Sequence, residues 1–299
     1  MDMIKSHPTE PLSAAYRRAR AQLIGAISDT DPAGLSLEAR ELASFAAGID
    51  RSRFFLAGDA PVDTEKLDDL LARRIAGEPL AYLLGEWDFC GRRFLTDRRA
   101  LIPRDDSMAV LELFLELLAD RGEPFSILDL CTGTGCLGIS AVAELADRGQ
   151  TARAVLADLS PEALSLAREN VAIHGLCAQI ECVRADAFAL ETLAGRAFDG
   201  CICNPPYIES SVVPTLDCSV VGFEPHMALD GGADGLDFYR AIVASAPLIL
   251  KPGAVLAFEV GFDQAEAVAT LLAAAGYSDI AVKNDLQNIP RAVGGRVPA

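Results

Sequence analysis

A short apolar run, FSILDL (125–130), passes directly into CTGTGCLG (131–138) and from there into residues spaced as a helix. No other feature restricts the fold so much. A strand that turns through glycines into a helix is the opening unit of a doubly wound sheet, with the ligand crevice at the carboxyl end of the strand. The alternation then repeats. ARAVLAD (152–158) precedes a helix expected from Pro161 to His174, AQIECVRAD (178–186) gives way to a short helical stretch, and FDGCICN (198–204) ends at a double proline. A helix near Leu236–Leu250, the strand AVLAFEV (254–260), a helix from Gln264 to Ala275 and strands near Ile280 and Val293 complete the series. The pattern predicts an α/β, Rossmann-like domain with a seven-stranded, mostly parallel sheet and helices on both faces.

Ahead of this domain the period changes. Leu12, Ala15, Tyr16, Ala19, Leu23, Ile24 and Ile27 recur at helical spacing, with Ser13 as the expected cap. A second run is expected after Ser36 and a third over Thr64 to Ile75. Residues 86–104 hold two short apolar stretches around Gly91 and Arg98, a hairpin or extended linker that Pro103 stops. The expected organisation is a helical domain over 1–85, a β-hairpin linker over 86–104 and a catalytic domain over 105–299.

The formal net charge is −17, from 26 basic and 43 acidic side chains. A protein that grips a phosphate backbone usually carries the opposite sign, so no stable nucleic-acid binding is expected. The stretch Met1 to Leu12 is polar and no apolar run reaches the ~20 residues of a membrane span, which points to a cytoplasmic protein and no membrane partner. The eight cysteines match no zinc framework, and His7, His174 and His226 are the only histidines, so reduced thiols and no metal are expected.

Gly133, Gly135 and Gly138 fit G-x-G-x-x-G, which leaves a nicotinamide cofactor and S-adenosylmethionine both open. Three acids favour the second. Asp158 ends the next strand, 23 residues after Gly135, where a carboxylate accepts ribose hydroxyls. Asp129 stands before the loop, where the cationic amino group of a methionine moiety would lie and where pyrophosphate would be repelled. Asp186 ends the third strand, placed to reach the adenine amino group.

The motif NPPY, Asn204 to Tyr207, ends the fourth strand beside the glycine loop. An amide nitrogen is a poor nucleophile, because its lone pair is delocalised into the carbonyl. Methyl transfer needs that lone pair aimed at the methyl carbon from ~3–3.5 Å. The Asn204 side-chain carbonyl and the Pro205 main-chain carbonyl are suited to accept the two N–H groups and to favour the positive charge that grows on nitrogen. Pro205 and Pro206 fix the backbone, and Tyr207 is expected to lie against the planar acceptor. The motif specifies nitrogen on a planar group and leaves glutamine and adenine open. His174, followed by Gly175, reads as the end of a helix rather than as a base.

The stretches RRIAGEPLAYLLGEWDFCGRRF (73–94), LIPR (101–104), DLCTGTGCLGI (129–139), CNPPYI (203–208), EPHMALDGGADGLDFYR (224–240), LKPGAVLAFEVG (250–261) and DLQNIPRAVGGR (285–296) span most of the chain. In these the sequence resembles the HemK-type protein-(glutamine-N5) methyltransferases, which methylate the glutamine of the Gly-Gly-Gln motif in peptide chain release factors. The resemblance implies a helical N-terminal domain that docks the release factor and a class I S-adenosylmethionine-dependent catalytic domain. It implies cofactor contacts from Cys131, Thr132, Gly133, Thr134, Gly135, Asp158, Ala187 and Asn204, with the glutamine held by Asn204, Pro205, Pro206 and Tyr207. Three departures stand out. Arg104 is followed by Asp105, Asp106, Ser107 and Met108 where the family has Pro-Asp/Glu-Thr-Glu, Cys131 replaces a frequent glycine, and Ala187 stands where an aromatic ring often flanks the adenine, with Phe188 next to it. The glycine-loop cysteines are similar to those of enzymes that methylate a ribosomal-protein glutamine. That substrate, a nucleic-acid adenine and a non-catalytic role as a cofactor-binding partner of translation factors are the alternative readings.

Overall fold

The computed structural model describes residues 8–28, 30–119 and 124–298. The polar stretch before Pro8, and His7 with it, lies outside the described residues. The chain forms two compact units: residues up to Gly85 together with Cys218–Phe223, and Glu86–Asp217 together with Glu224–Ala299.

The first unit is a helical bundle with one strand pair. Strand β1 (Thr9–Pro11) leads into α1 (Leu12–Ala26), followed by α2 (Pro32–Ala47), β2 (Pro61–Asp63), α3 (Thr64–Ile75) and α4 (Leu80–Leu84). Leu12, Ala15, Ala19 and Leu23 of α1 are buried against Leu35, Ala39 and Leu42 of α2 and Leu67, Leu70 and Leu71 of α3. These positions recur at three and four residues, so each helix offers one apolar stripe. Two expected helix starts are corrected. Ser13 does not cap α1: the helix begins at Leu12, and the N–H groups of Leu12 and Ser13 donate instead to the carbonyls of Ala60 and Gly58 at 2.9 and 3.0 Å. Ser36 lies a turn inside α2, which Pro32 opens and the Asp31 carboxylate caps by accepting from Ala33 and Gly34, worth about 1 kcal/mol.

The second unit opens with a hairpin, β3 (Glu86–Phe89) and β4 (Arg92–Leu95), turned by Cys90 and Gly91 at φ of 50° and 69°. Such paired positive φ values match the twist of the flanking strands. Helix α5 (Met108–Leu118) follows, an element absent from the expected series. Then come β5 (Phe125–Leu130), α6 (Cys136–Asp147), β6 (Ala152–Asp158), α7 (Pro161–Ile173), β7 (Ile180–Arg184) and β8 (Phe198–Cys203). The four-residue α8 (Cys218–Val221) falls in the segment belonging to the first unit. The rest are α9 (Asp237–Ser245), β9 (Leu250–Glu259), α10 (Ala265–Ala274), β10 (Ser278–Asn284) and β11 (Pro290–Arg296).

Seven strands form one sheet in the order β10-β11-β9-β8-β5-β6-β7. Only β11 runs against its neighbours. Alternate residues of each strand face opposite sides, so Phe125 and Ile127 pack with α5, α6 and α7 while Leu128 and Leu130 pack with α9 and α10. After β5 the chain moves outward through β6 and β7, then returns to place β8 on the other side of β5. That reversal opens a crevice at the carboxyl ends of β5 and β8.

Candidate active site

Leu130 and Cys203, the last residues of β5 and β8, are register partners, so the glycine loop and the NPPY corner leave the sheet side by side. The loop turns through Cys131, Gly133 and Gly135 at φ of 58°, 54° and 85°. It is tied down from below. Thr132 N–H donates to the Ala157 carbonyl at 3.1 Å, and Gly133 N–H donates to Asp158 Oδ2 at 2.9 Å. Gly138 lets α6 approach the sheet: a Cβ there would stand 2.3 Å from Leu156 Cδ2 and 2.9 Å from Asp129 Cβ.

Asp129 is fully buried beneath the loop. Its Oδ2 accepts from Gly138 N–H at 2.9 Å and from the Thr132 hydroxyl, while Oδ1 is buried without a partner. Burial raises its pKa to about 7, the bonds from Thr132 and Gly138 pulling the other way and nearby Asp158 adding to the rise. Asp158, at the end of β6, also accepts Ser160 N–H on Oδ1 at 3.0 Å. Burial pushes its pKa up against the backbone N–H groups of Gly133, Ser160 and Leu159. With Gly133 N–H on Oδ2 and Ser160 N–H on Oδ1, each oxygen keeps a lone pair for a further donor. Asp186 accepts Phe188 N–H at 2.9 Å. The Phe188 ring meets the Phe238 ring edge-on, 4.7 Å between centroids.

On the other flank, Asn204 Nδ2 donates to Ser107 Oγ at 3.3 Å, and Ser107 in turn donates to Glu259 Oε2. The Tyr207 hydroxyl donates to Glu259 Oε1 at 3.2 Å. The backbone of the corner is clamped as well. Gln264 Nε2 donates to the Tyr207 carbonyl at 2.9 Å, and Ile208 exchanges bonds with Leu229 and Gly231. Gly231 lies so near that a Cβ would stand 2.6 Å from Tyr207 Cα. Arg104 pairs with buried Glu224, which also accepts Ile102 N–H at 3.2 Å and so fixes the LIPR segment as one wall.

One cavity is lined by Cys131, Thr132, Gly133, Thr134, Asp158, Asp186, Ala187, Asn204 and Pro206, together with Leu101, Ile102, Ser107, Phe188 and Phe238. Asp129, Gly135, Pro205 and Tyr207 are not on that lining. Asp129 braces the loop from inside, Gly135 starts α6 with its Cα packed toward Leu156 and Ile139, and the Tyr207 hydroxyl is turned to Glu259. His174 ends α7, with Nε2 3.0 Å from the Arg93 carbonyl and its ring against Phe94. All eight cysteines are free, and no group of three His, Cys, Asp or Glu side chains among the described residues is arranged to hold a metal. No helix among the described residues is long and apolar enough to cross a membrane.

Known proteins with the same sequence pattern share both parts of the chain. The family described as PrmC N-terminal domain matches residues 14–85, and the family described as Methyltransferase small domain matches 109–216. A release factor glutamine methyltransferase of Geobacter sulfurreducens is 38% identical over 264 residues, covering 87% of this chain and 89% of the relative. One from Cereibacter sphaeroides is 38% identical over 289 residues, covering 94% and 99%. The chain belongs to the release factor glutamine methyltransferases. A solved methyltransferase from Pyrococcus furiosus shares the fold, with a TM-score of 0.51 at 15% identity over 78% of this chain and all of that one.

A release factor glutamine methyltransferase is an S-adenosylmethionine-dependent protein-glutamine methyltransferase, and the cavity fits that cofactor. Loop backbone at Gly133 carries no Cβ to fill the space, Asp158 holds spare acceptor capacity for a diol, and the far wall of Ala187, Phe188 and Phe238 is apolar enough for a purine. Four residues of this methyltransferase escape a reading of its sequence alone: Ser107, Glu224, Glu259 and Gln264. Glu259 left a signal, a carboxylate at the end of the otherwise apolar strand AVLAFEV, where a buried charge demands partners.

Proposed function

We propose that this chain transfers the methyl group of S-adenosylmethionine to the side-chain amide nitrogen of the glutamine in the Gly-Gly-Gln motif of peptide chain release factors. The observation that carries the reading is Asn204 and Pro206 facing the same cavity as the glycine loop and Asp158. The relatives named for release factors support the substrate over a ribosomal protein.

Asp158 would accept the ribose hydroxyls, Asp186 and the wall at Ala187 and Phe188 would receive the adenine, and the loop from Cys131 to Thr134 would hold the methionine moiety. The bound cofactor supplies an electrophilic methyl group on a sulfonium. Asn204 Oδ1 and the Pro205 carbonyl accept the two N–H groups of the glutamine amide and fix its orientation for transfer. They stabilise the charge that grows on nitrogen, a contribution of about 3–4 kcal/mol for each well-placed group of this kind. No general base is required, because the proton leaves an already cationic nitrogen. The helical first unit docks the release factor, a reading supported by its match to the PrmC N-terminal domain. Stable binding to membranes or nucleic acid is not part of this function, and the −17 charge favours that exclusion.

The test is a competition. The protein is incubated with methyl-labelled cofactor and purified release factor, ribosomal protein and DNA, and the label is located by mass spectrometry. Label on the Gly-Gly-Gln glutamine is expected. Label on the ribosomal protein or on adenine, with the release factor unmodified, would overturn the reading.

A further inference from the structure

Glu259 is 2% exposed at the end of a strand whose preceding residues, Ala254 to Phe258, are all fully buried. Every contact of its carboxylate is one of acceptance. Ser107 donates to Oε2 and Tyr207 donates to Oε1. Ser107 has a single proton, and Glu259 takes it. Its oxygen then has only lone pairs to offer, and Asn204 Nδ2 donates to it at 3.3 Å. The sequence of bonds therefore has a direction. A carboxylate at one end forces the serine to donate, which forces the asparagine to present nitrogen inward. The opposite side of a planar amide is its oxygen.

We propose that Glu259 and Ser107 are positioning residues that fix the rotation of the Asn204 amide, so that Oδ1 rather than Nδ2 faces the methyl acceptor. This rests on the proposed function, in which Asn204 Oδ1 holds the glutamine amide. With the amide turned over, two donors would face each other and the acceptor would lose its hold. Tyr207 occupies the second oxygen of Glu259, which keeps the carboxylate from turning to other donors.

The device carries a pH dependence. A protonated Glu259 becomes a donor to Ser107, which is then free to donate to Asn204 Oδ1 and so to turn the amide round. Arg291, Asp106, Tyr207, Tyr239 and Cys136 are the titratable or charged groups around Glu259. Arg291 and Asp106 pair with each other at 3.3 Å and pull the carboxyl in opposite directions. Burial outweighs them and raises its pKa to about 7, which places the switch near neutral pH.

The test measures kcat, KM and cofactor affinity against pH for the wild type, Glu259→Gln, Ser107→Ala and Ser107→Thr. Wild-type kcat should rise as pH increases through about 7. Glu259→Gln and Ser107→Ala should each lower kcat roughly 10- to 100-fold, with KM and cofactor affinity nearly unchanged and the acid limb gone, as for an interaction used in the transition state. Ser107→Thr keeps the hydroxyl and should keep both kcat and the limb. If Glu259→Gln does not fold, the Ala and Thr variants at Ser107 carry the same comparison. Wild-type kcat and an intact acid limb in Glu259→Gln or Ser107→Ala would overturn the proposal. Neutron diffraction on deuterated wild type and Glu259→Gln reads the Asn204 amide directly, whatever the substrate. An amide in the same orientation in both also overturns it, whereas a wild type that never labels a release factor overturns the function and leaves the diffraction result to decide the orientation.

Discussion

Asp158 Oδ2 accepts the Gly133 N–H at 2.9 Å, which joins the acid at the end of β6 to the loop at the end of β5. The same carboxylate is therefore both a brace for the loop and one of the acceptors that line the cavity. Replacing it with alanine removes both roles. Asp158→Ala should weaken S-adenosylmethionine binding by about 10- to 100-fold, the loss of one or two charge-assisted hydrogen bonds. Titration calorimetry checks this, and affinity within two-fold of wild type would take Asp158 out of the site.

Asn204 lines the cavity, and its Nδ2 donates to Ser107 Oγ at 3.3 Å. Asn204→Ala should lower kcat on the order of 100- to 1000-fold, the range for loss of one group that stabilises transition-state charge. Cofactor affinity should change little. Single-turnover transfer to a release-factor fragment at near wild-type rate would contradict the role given to this residue.

At Gly138 α6 packs directly on the sheet, with no space for a Cβ. Alanine favours a helix by up to ~1 kcal/mol, but its methyl would overlap Leu156, which is fully buried and has no room to retreat. Overpacking should win, and Gly138→Ala should destabilise the fold by about 1–3 kcal/mol. A urea midpoint equal to wild type would show that the helix can shift at no cost.

Asp129 gives stability a pH signature. Its folded-state pKa is raised to about 7, so from the ordinary carboxylate range up to that point the folded chain holds a proton that the unfolded chain has released. Stability from this group is therefore greatest at the acid end of the window and is lost as pH rises through about 7. Asp129→Asn cannot titrate. Relative to wild type in the absence of cofactor, the variant should gain stability between about pH 5 and pH 8, as read from urea unfolding at each pH. A constant difference across that range would mean that the buried carboxyl stays ionised throughout.

The sequence by itself determined the sheet and the chemistry it carries. Apolar strands ending in glycines or in NPPY leave few options, because a doubly wound sheet puts strand ends together at one edge. The local pattern marks α5 only weakly: its residues Ala109, Val110, Leu111, Leu113, Phe114, Leu115 and Leu118 are buried on several sides, which leaves Glu112 and Glu116 as a narrow polar stripe. Helix starts misled for a related reason: the first N–H groups of α1 find Gly58 and Ala60, partners that no local pattern displays. Tertiary structure alone decided that Asp129 lies under the loop, that Tyr207 turns to Glu259, and that Ser107 meets Glu259 from 152 positions away. Local periodicity records which face of an element is apolar. It does not record which two polar groups, distant along the chain, must share a proton once that face is buried.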